Sequence, residues 1–274
     1  MAFSIMVPGV SARGSGLPIV GQYLDGMGTF PARNLLALYL LQDGAIGEAF
    51  AGPLADRGLF GRHGTLIAGS MPKRTAAGMD SYGAGDKGWM VDTNVPMDGS
   101  FTIGIVAKSS QVQPASGFPT FWGPRAHIAS VPLLDGGVTT GPILDFGVQA
   151  ADKFNAALYR AGGWAPDAGV LKDLLHPVAS TTRTATGVSY KAETGRWVMA
   201  NATHSTEWTD KPAGDALIAL GTTHAFGATR FYDGTPSGEL NLAVVYRRAK
   251  TADEMQPMLA AMRATVAARG VQVA

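Results

Sequence analysis

From residue 34 onward, the sequence is divided into short apolar or alternating runs that end at Gly, Pro, Asn or Asp. The longest unbroken apolar run, residues 35–41, has only seven residues. Runs of this length are typical of β-strands, because helices in folded proteins generally need about ten residues or more. The breakers between the runs are typical turn residues. The pattern therefore predicts a mainly β protein with many short strands.

Ten segments are predicted as strands. Residues 101–108 give the clearest signal, because they alternate with period two for most of their length after the turn at Asp98-Gly99. The other predicted strands are 35–41, 64–68, 118–123, 127–133, 138–146, 181–190, 196–203, 216–220 and 240–246. Several short strands separated by turns are typical of an antiparallel sandwich of two sheets, of the jelly-roll type.

Two helices are predicted within the strand-rich region. Residues 150–161 contain few breakers and place Phe154 and Leu158 on one helical face, and residues 169–175 form a shorter segment that ends before Pro177. The predicted fold class is thus a mainly β sandwich with one or two inserted helices and a short C-terminal helix.

The C-terminal helix carries the strongest local signal in the chain. Thr251 and Glu254 have the spacing of a capping box, in which each side chain accepts a hydrogen bond from an otherwise unpaired amide of the first turn. Gly270 supplies a left-handed stop. One apolar stripe follows the cap, and we expect it to pack on the parent domain rather than on a partner: Met255, Met258, Leu259, Met262 and Val266.

Charge and composition exclude several classes of partner. Only 16% of residues are charged, the net charge is +1, and no run of like charge occurs. Nucleic-acid binding and electrostatic membrane anchoring both need a basic stripe, so we expect neither. No apolar run approaches the roughly 20 residues that span a bilayer, and the N-terminus lacks a basic region before its apolar stretch. We therefore expect a soluble chain without a signal peptide or a transmembrane segment.

Residues 1–34 are predicted to form an arm distinct from a single domain at 35–274. The arm contains six Gly and three Pro residues among scattered apolar side chains. It either packs on its own domain or, as we favour, docks onto another subunit. The low charge of the chain favours a surface that is covered by neighbours, and so a homo-oligomer or a larger assembly. The chain has no Cys, so disulfides contribute nothing to its stability.

Three segments resemble one family in order and spacing. Residues 35–44 followed by the glycine-rich turn at 56–66 resemble the opening of laminin-G-like, or concanavalin A-like, lectin and glucanase domains. Residues 99–108 resemble the next core strand of these domains, with Val106 where an aromatic residue is usual. Residues 240–255 resemble the closing strand, basic turn and capped helix. The resemblance implies a jelly roll of two antiparallel sheets.

Three functions are compatible with this resemblance. Lectin-like jelly rolls of this kind are common in bacteriophage particles, so the main hypothesis is a non-enzymatic structural or adhesion component of a virion, such as a tail fibre, baseplate or capsid decoration protein. Such a protein would be made in the host cytoplasm, would contact other virion proteins through residues 1–34, and would have a host-surface glycan as its candidate ligand. The alternatives are a soluble carbohydrate-binding module and a glycoside hydrolase or lyase.

The enzymatic alternative lacks its usual motif. Glucanases of the family carry acidic residues two positions apart on one strand, which places them on one face of the sheet. None of the five glutamates has an acidic residue two positions away: Glu48, Glu193, Glu207, Glu239 and Glu254. No nucleophile elbow, phosphate-binding loop or paired histidine motif is present either. We therefore predict no catalytic residues.

Two kinds of binding site remain as candidates. Domains of this family often bind calcium through loop oxygens, and Asp92, Asn94 and Asp98 would supply such ligands, although the same residues also stabilise turns without a metal. A sugar site should pair an aromatic ring, which covers the C–H face of a pyranose, with polar groups that bind its hydroxyls. The candidates for this role are Phe121, Trp122, Arg125, Trp164 and Trp208.

Overall fold

Fifteen strands and two helices form the regular structure of the described part of the chain. In the computed structural model, that part comprises residues 30–31, 33–43, 45–50, 52–58, 60–67, 72–80, 88–109, 120–124, 143–150, 153–159, 169–175, 179, 181–219, 221–229 and 238–274. The strands are β1 Leu35–Leu40, β2 Thr65–Ile67, β3 Lys73–Arg74, β4 Met79–Asp80, β5 Gly88–Pro96, β6 Phe101–Ser109, β7 Thr120–Pro124, β8 Ile143–Ala150, β9 Lys153–Tyr159, β10 Gly169–Leu175, β11 Thr184–Lys191, β12 Arg196–Ala200, β13 Ser205–Thr209, β14 Thr223–Thr229 and β15 Gly238–Tyr246. The helices are α1 Lys211–Ala219 and α2 Ala252–Ala267.

The strands form two antiparallel sheets, which confirms the predicted fold class of a mainly β sandwich. Sheet I has the order β13-β12-β11-β6-β15-β4-β3, and β1 also pairs with β15. Sheet II has the order β10-β9-β8-β7-β14-β5-β2. Helix α2 is the predicted C-terminal helix, and α1 is one inserted helix.

The two sheets bury a large apolar core between them. Strand β6 directs Phe101, Ile103 and Ile105 into this core, and each is at most 3% exposed. Aromatic side chains of sheet II belong to the same core, and among them Trp89 and Trp122 are at most 1% exposed. Alternation along each strand places one residue in two on this inner face, as period-two patterning requires. Burial of these rings and of the aliphatic side chains around them drives sheet-on-sheet packing.

A second apolar core lies on the outer face of sheet I, beneath α2. The predicted methionine stripe packs here, as expected, and Met255, Met258 and Met262 are fully buried. Small residues on the sheet allow the helix to approach closely. A Cβ atom at Gly104 would lie 2.7 Å from Met262 Sδ, and one at Gly187 would lie 3.0 Å from Met258 Cε. The central strands of sheet I are therefore covered on both faces, by sheet II and by α2.

The ends of α2 follow the sequence prediction. The Thr251 side chain accepts a hydrogen bond from Glu254 N, and the Glu254 carboxylate accepts one from Thr251 N at 3.0 Å. Gly270 has a φ of 80°, the left-handed conformation that ends a helix with least strain in glycine. The capping box fixes where the chain changes from the loop after β15 into helix.

Strand β15 contributes to both cores, and a bulge changes the alternation of its side chains between them. Leu240 packs between the sheets, whereas Leu242, two residues further on, packs under α2. In a regular strand these two side chains would share a face. The pairing with β6 shifts register between them, and the extra residue, Asn241, is buried and donates hydrogen bonds to Ala77 O and the Glu239 carboxylate. The bulge thus sets which side chains of β15 face α2.

Two predicted helices are wrong. Residues 150–161 contain strand β9, and residues 169–175 are strand β10; the two strands pair with each other in the antiparallel sense. The error has a geometric cause. Residues four apart, such as Phe154 and Leu158, share a face in a helix and also in a strand, so their spacing did not discriminate between the two.

The predicted strand at 216–220 is also wrong, because residues 211–219 form α1. Its apolar run is the C-terminal end of a short helix, in which Leu217 is only 1% exposed. Besides β9 and β10, five of the described strands were not predicted, namely β3, β4, β5, β13 and β14. Polar residues at Asp92, Thr93 and Asn94 of β5 resemble a turn in the sequence. The predicted strand at 127–133 lies outside the described residues.

Most of the predicted arm lies outside the described residues as well, so the boundary at residue 34 stays a prediction. Within the described residues before β1, Phe30 is 7% exposed and belongs to the core under α2. Asn34 has a φ of 65° and accepts a hydrogen bond from Arg247 N, next to the end of β15. None of the helices in the described part of the chain has the length and apolar character needed to cross a bilayer.

A buried carboxylate holds the glycine-rich turn that suggested the family resemblance. Asp56 is 4% exposed, and its side chain accepts hydrogen bonds from the amides of Leu38, Gly58 and Arg62 at 2.7 to 2.9 Å. These bonds tie the turn to the middle of β1. A carboxylate that satisfies three amides is hard to replace, because an amide side chain offers only one acceptor atom.

We expect Asp56→Ala to lower the free energy of unfolding by about 3 kcal/mol, because it leaves buried amides without acceptors. Asp56→Asn should lose less, since its carbonyl oxygen keeps some of these bonds. Urea denaturation at neutral pH measures both variants. A loss below about 1 kcal/mol for Asp56→Ala would contradict this role for Asp56.

Burial lowers the pKa of His224 from 6.5 to about 3. The ring accepts a hydrogen bond from Trp122 Nε1 at Nδ1 and contacts Phe101 edge-on. The unfolded chain therefore binds a proton at His224 near pH 6.5 while the folded chain does not. As the pH falls from about 6.5 towards 3, stability should decrease by up to about 1.4 kcal/mol per pH unit because of this residue.

His224→Gln keeps an acceptor for Trp122 but does not titrate. We expect its free energy of unfolding to fall less steeply with decreasing pH than that of the wild type, because its unfolding takes up about one proton fewer in this range. Denaturant unfolding at a series of acidic pH values tests this. Parallel profiles for the two proteins would show that His224 does not stay neutral in the folded state.

Candidate functional site

A pocket of about 360 Å³ opens on the outer surface of sheet I, beyond the N-terminal end of α2. We call it the α2 pocket. It is formed where β11, the turn into β12, the start of β6 and the loop between β15 and α2 meet. It is lined by Ser100, Ser189, Lys191, Glu193, Arg196, Val198, Arg247, Arg248, Ala249, Lys250, Thr251 and Glu254.

Buried hydroxyls fix the loop that forms one wall of the α2 pocket. Lys250 N donates a hydrogen bond to Ser189 Oγ at 2.8 Å, and Thr102 Oγ1 lies 2.7 Å from Arg248 O. Ser189 Oγ in turn lies 3.2 Å from Phe101 O. The backbone of the loop is therefore attached to β6 and β11, and these bonds fix the backbone positions that carry its side chains.

The charged lining of the α2 pocket is mainly basic. Five of its side chains are basic and two are carboxylates. Each of the three arginines has an acidic partner: Arg248 pairs with Glu254, Arg196 with Glu207, and Arg247 with Asp98 at 3.6 Å. Glu207 and Asp98 do not line the pocket themselves, but they neutralise the charges of Arg196 and Arg247. Glu193 offsets one of the two lysine charges, so the lysines leave about one positive charge in the lining.

Lys250 has an unusual environment for a basic residue. Only 7% of its surface is exposed, and its ammonium nitrogen lies 4.6 Å from the ring centroid of Tyr246. It has no carboxylate partner within the described part of the chain. Burial lowers the pKa of Lys250, and the neighbouring guanidinium of Arg248 lowers it further. Arg248 Nε is also buried, with no hydrogen-bond partner among the residues that the structure describes.

Neutral and acidic groups also line the α2 pocket. Ser100 Oγ donates to the Glu193 carboxylate at 3.2 Å and accepts from Ala192 N at 2.9 Å. The backbone amide of Glu193 and the Ser100 hydroxyl lower the pKa of the Glu193 carboxyl. The α2 pocket thus offers donors and acceptors together, which is the combination that binds hydroxyl-rich ligands.

Phe121 and Trp122, two of the residues predicted to form a sugar platform, lie in the core between the sheets. Both side chains are fully buried, so neither ring presents a face to a ligand. Trp122 stacks on His224. The Phe101 ring contacts both Trp122 and Trp197, with centroid distances of 5.6 and 6.0 Å, respectively. The aromatic residues that suggested a sugar platform in the sequence therefore pack in the core between the two sheets.

Trp208 ends the same aromatic series at the edge of sheet I. It is 9% exposed and stacks on Trp197, with ring centroids 5.9 Å apart. Its side chain belongs to the core between the sheets, whereas the α2 pocket lies on the outer face of sheet I. Arg125 and Trp164, the other two candidates, lie outside the described residues, and their role stays a prediction.

The predicted calcium ligands lie on β5 and the turn that follows it. Asp92 is 3% exposed, and its Oδ1 accepts hydrogen bonds from Thr223 Oγ1 at 2.6 Å and Asn94 N at 2.9 Å. Asn94 has a φ of 55° and donates to His63 O, and Asp98 pairs with Arg247. Within the described ranges, no three His, Cys, Asp or Glu side chains are grouped so that they could hold a metal ion.

The sequence analysis did not identify the residues of the α2 pocket. The segment at 247–250 was noted only as a basic turn in the family resemblance. The basic composition of that turn was the signal available, but it gave no information on burial or on the contribution of β11 and β12. Phe60, at the turn held by Asp56, was also missed as a ligand candidate; it is 59% exposed.

Comparisons with known proteins identify the fold but no family. No protein-family model matches this chain, and no curated protein matches it in sequence. A botulinum neurotoxin type C structure, from work on cell entry that depends on two ganglioside molecules, matches with a TM-score of 0.55 and 9% identity over 84% of this chain and 51% of that one. This chain therefore spans about half the length of that neurotoxin structure.

Two other solved structures match to a similar degree. Trypanosoma rangeli sialidase has a TM-score of 0.53 and 11% identity, over 96% of this chain and 36% of the sialidase. Domain 4 of an extracellular arabinanase from Geobacillus stearothermophilus, solved in complex with arabinotriose, has a TM-score of 0.51 and 15% identity, over 82% of this chain and 98% of that domain. At these identities the matches show a shared β-sandwich fold.

We expect neither calcium nor EDTA to change the melting temperature. The reason is that Asp92 Oδ1 already accepts two hydrogen bonds and Asp98 has a basic partner. Thermal denaturation of the metal-free protein, with and without added calcium, measures this. A rise in melting temperature with calcium that Asp98→Asn abolishes would instead support the calcium hypothesis.

Proposed function

We propose that this protein is a carbohydrate-binding β-sandwich module, and that the α2 pocket is its binding site. The observation that carries this proposal is the pocket itself. Its volume of about 360 Å³ falls in the lower part of the range for small-ligand sites, and it suits one or two sugar rings. Hydroxyl, carboxylate and basic side chains surround it, so both the donor and the acceptor functions of sugar hydroxyls have partners there.

The solved structures of similar fold support the same proposal. One of them is described as a neurotoxin whose cell entry depends on gangliosides, another is a sialidase, and a third is a domain in complex with arabinotriose. All three descriptions concern saccharides or their conjugates. A shared fold does not by itself transfer a ligand, so the proposal rests on the α2 pocket and takes these structures as support.

The hypothesis of a virion component stays a prediction. It depends on residues 1–34 as a docking arm and on the low charge of the chain. Light scattering of the full chain and of a variant without residues 1–34 tests it. An oligomer that dissociates on deletion supports the assembly role, and a monomer in both cases opposes it.

The hydrolase or lyase alternative stays a prediction too. Release of reducing sugar from a polysaccharide panel tests it.

Saccharide binding by the full chain can be tested on a glycan array, followed by calorimetry with each bound glycan. Ala249 lines the α2 pocket and is small, so Ala249→Trp should fill the cavity. We expect this variant to lose binding by about tenfold or more, because a ring in the pocket would collide with the new side chain.

Ala45→Trp makes the same change at an exposed position outside the pocket and should bind like the wild type. Phe60→Ala tests the exposed aromatic ring as a different site. An array without bound glycans at high protein concentration would contradict the proposed function. Loss of binding in Phe60→Ala, with binding intact in Ala249→Trp, would move the site to the turn held by Asp56.

A further inference from the structure

We propose that the α2 pocket selects acidic saccharides and that the Lys250 ammonium receives the sugar carboxylate. This inference rests on the proposed function and adds the chemical class of the ligand. It also names the residue that determines specificity. The argument uses the burial of Lys250, the pairing of the surrounding charges and the polar groups beside it.

The Lys250 side chain is largely buried, but its ammonium is accessible from the α2 pocket, and no carboxylate of the described residues pairs with it. Charged side chains that are nine-tenths buried in proteins are usually paired, since moving a charge out of water costs several kcal/mol. The Lys250 ammonium has only the Tyr246 ring as its partner within the described residues, with 4.6 Å from Nζ to the ring centroid, and the residue lines the α2 pocket. A cation–π contact recovers part of the cost of desolvation. A carboxylate that enters the pocket would supply the missing ion pair.

The arginines around Lys250 do not compete for this role. Arg196, Arg247 and Arg248 each already have a carboxylate partner. Arg248 Nε is buried without an acceptor among the described residues, so it does not face the ligand space. Lys191 is exposed and adds positive charge at the rim of the pocket. The charge available to a ligand is therefore positive and is concentrated at the lysines.

The rest of a sugar ring would meet groups of a different kind. Glu193 accepts a hydrogen bond from Ser100, and an ionised carboxylate has acceptor sites left for sugar hydroxyls. Glu193 also opposes an anion on its own side of the pocket, so a ligand carboxylate is directed towards Lys250. The arrangement suits a ligand with one acidic end and several hydroxyls, such as a uronic acid or a sialic acid residue.

The ammonium of Lys250 should cost stability in the free protein, because no carboxylate among the described residues neutralises it. Lys250→Met removes the charge and keeps an unbranched apolar chain over the Tyr246 ring. We expect this variant to melt at the same temperature as the wild type or higher, while it loses affinity for acidic saccharides. A residue with a purely structural role would show the opposite change in stability.

The test uses the full chain and two matched pairs of probes in calorimetry. Trigalacturonate is compared with its methyl ester, which differs only in the esterified carboxylates. 3′-Sialyllactose is compared with lactose, which lacks the acidic sugar. We expect the acidic member of at least one pair to bind about tenfold or more tightly than its neutral counterpart, as a charge-assisted hydrogen bond implies. The pair that responds identifies the source of the carboxylate.

Lys250→Met should remove this preference, and Lys73→Met, at an exposed lysine on β3 at the far edge of sheet I, should keep it. Equal binding of acidic and neutral probes to the wild type would overturn the inference without any variant and leave the proposed function intact. An acidic preference that survives in a folded Lys250→Met variant would also overturn it. Failure of every probe and of the glycan array would remove the proposed function as well.

Discussion

Strand β15 has no solvent-exposed face, and the rest of the architecture depends on this constraint. Every residue of the strand is buried. One set of its side chains packs against sheet II and the other packs under α2, and the bulge at Asn241 sets which side chain belongs to which core. A strand with two apolar faces requires a layer on each side. Sheet II covers one face and α2 covers the other.

The α2 pocket is a consequence of this layering. The chain leaves β15 and must turn back within a few residues to begin α2 over the outer face of sheet I. The loop that makes this turn is attached to Ser189 and Thr102 through its backbone, and the capping box at Thr251 sets the first turn of the helix. Because α2 begins after this loop, β11 and β12 extend beyond the helix and leave a concave area. Lys250 is buried by the same geometry.

The sequence predicted those parts of the fold in which local chemistry and tertiary structure agree. The strands at β1, β6 and β15, the capping box and the methionine stripe of α2 were all evident, because their patterns match the faces that they bury. The helices predicted at β9 and β10 were wrong, because a spacing of four residues fits both kinds of element. Strand β5 was missed because Asp92 and Asn94 resemble turn residues.

The candidate site was much less predictable, for a physical reason. Aromatic residues were chosen as sugar platforms by residue type, yet Phe121, Trp122 and Trp208 serve the core, where large rings contribute most to packing. The α2 pocket joins Ser100, Glu193 and Lys250, which are far apart in sequence and ordinary in type. Only the fold shows that the Lys250 side chain is largely buried, lines the pocket and has no carboxylate partner among the described residues, and these properties give the pocket its proposed chemistry.

The most direct test is a crystal structure of the full chain with a bound acidic trisaccharide. The account predicts that the saccharide lies in the α2 pocket, with a carboxylate oxygen about 3 Å from Lys250 Nζ and its hydroxyls towards Ser100 and Glu193. A saccharide bound elsewhere, for example across the exposed ring of Phe60, with the α2 pocket empty, would contradict it.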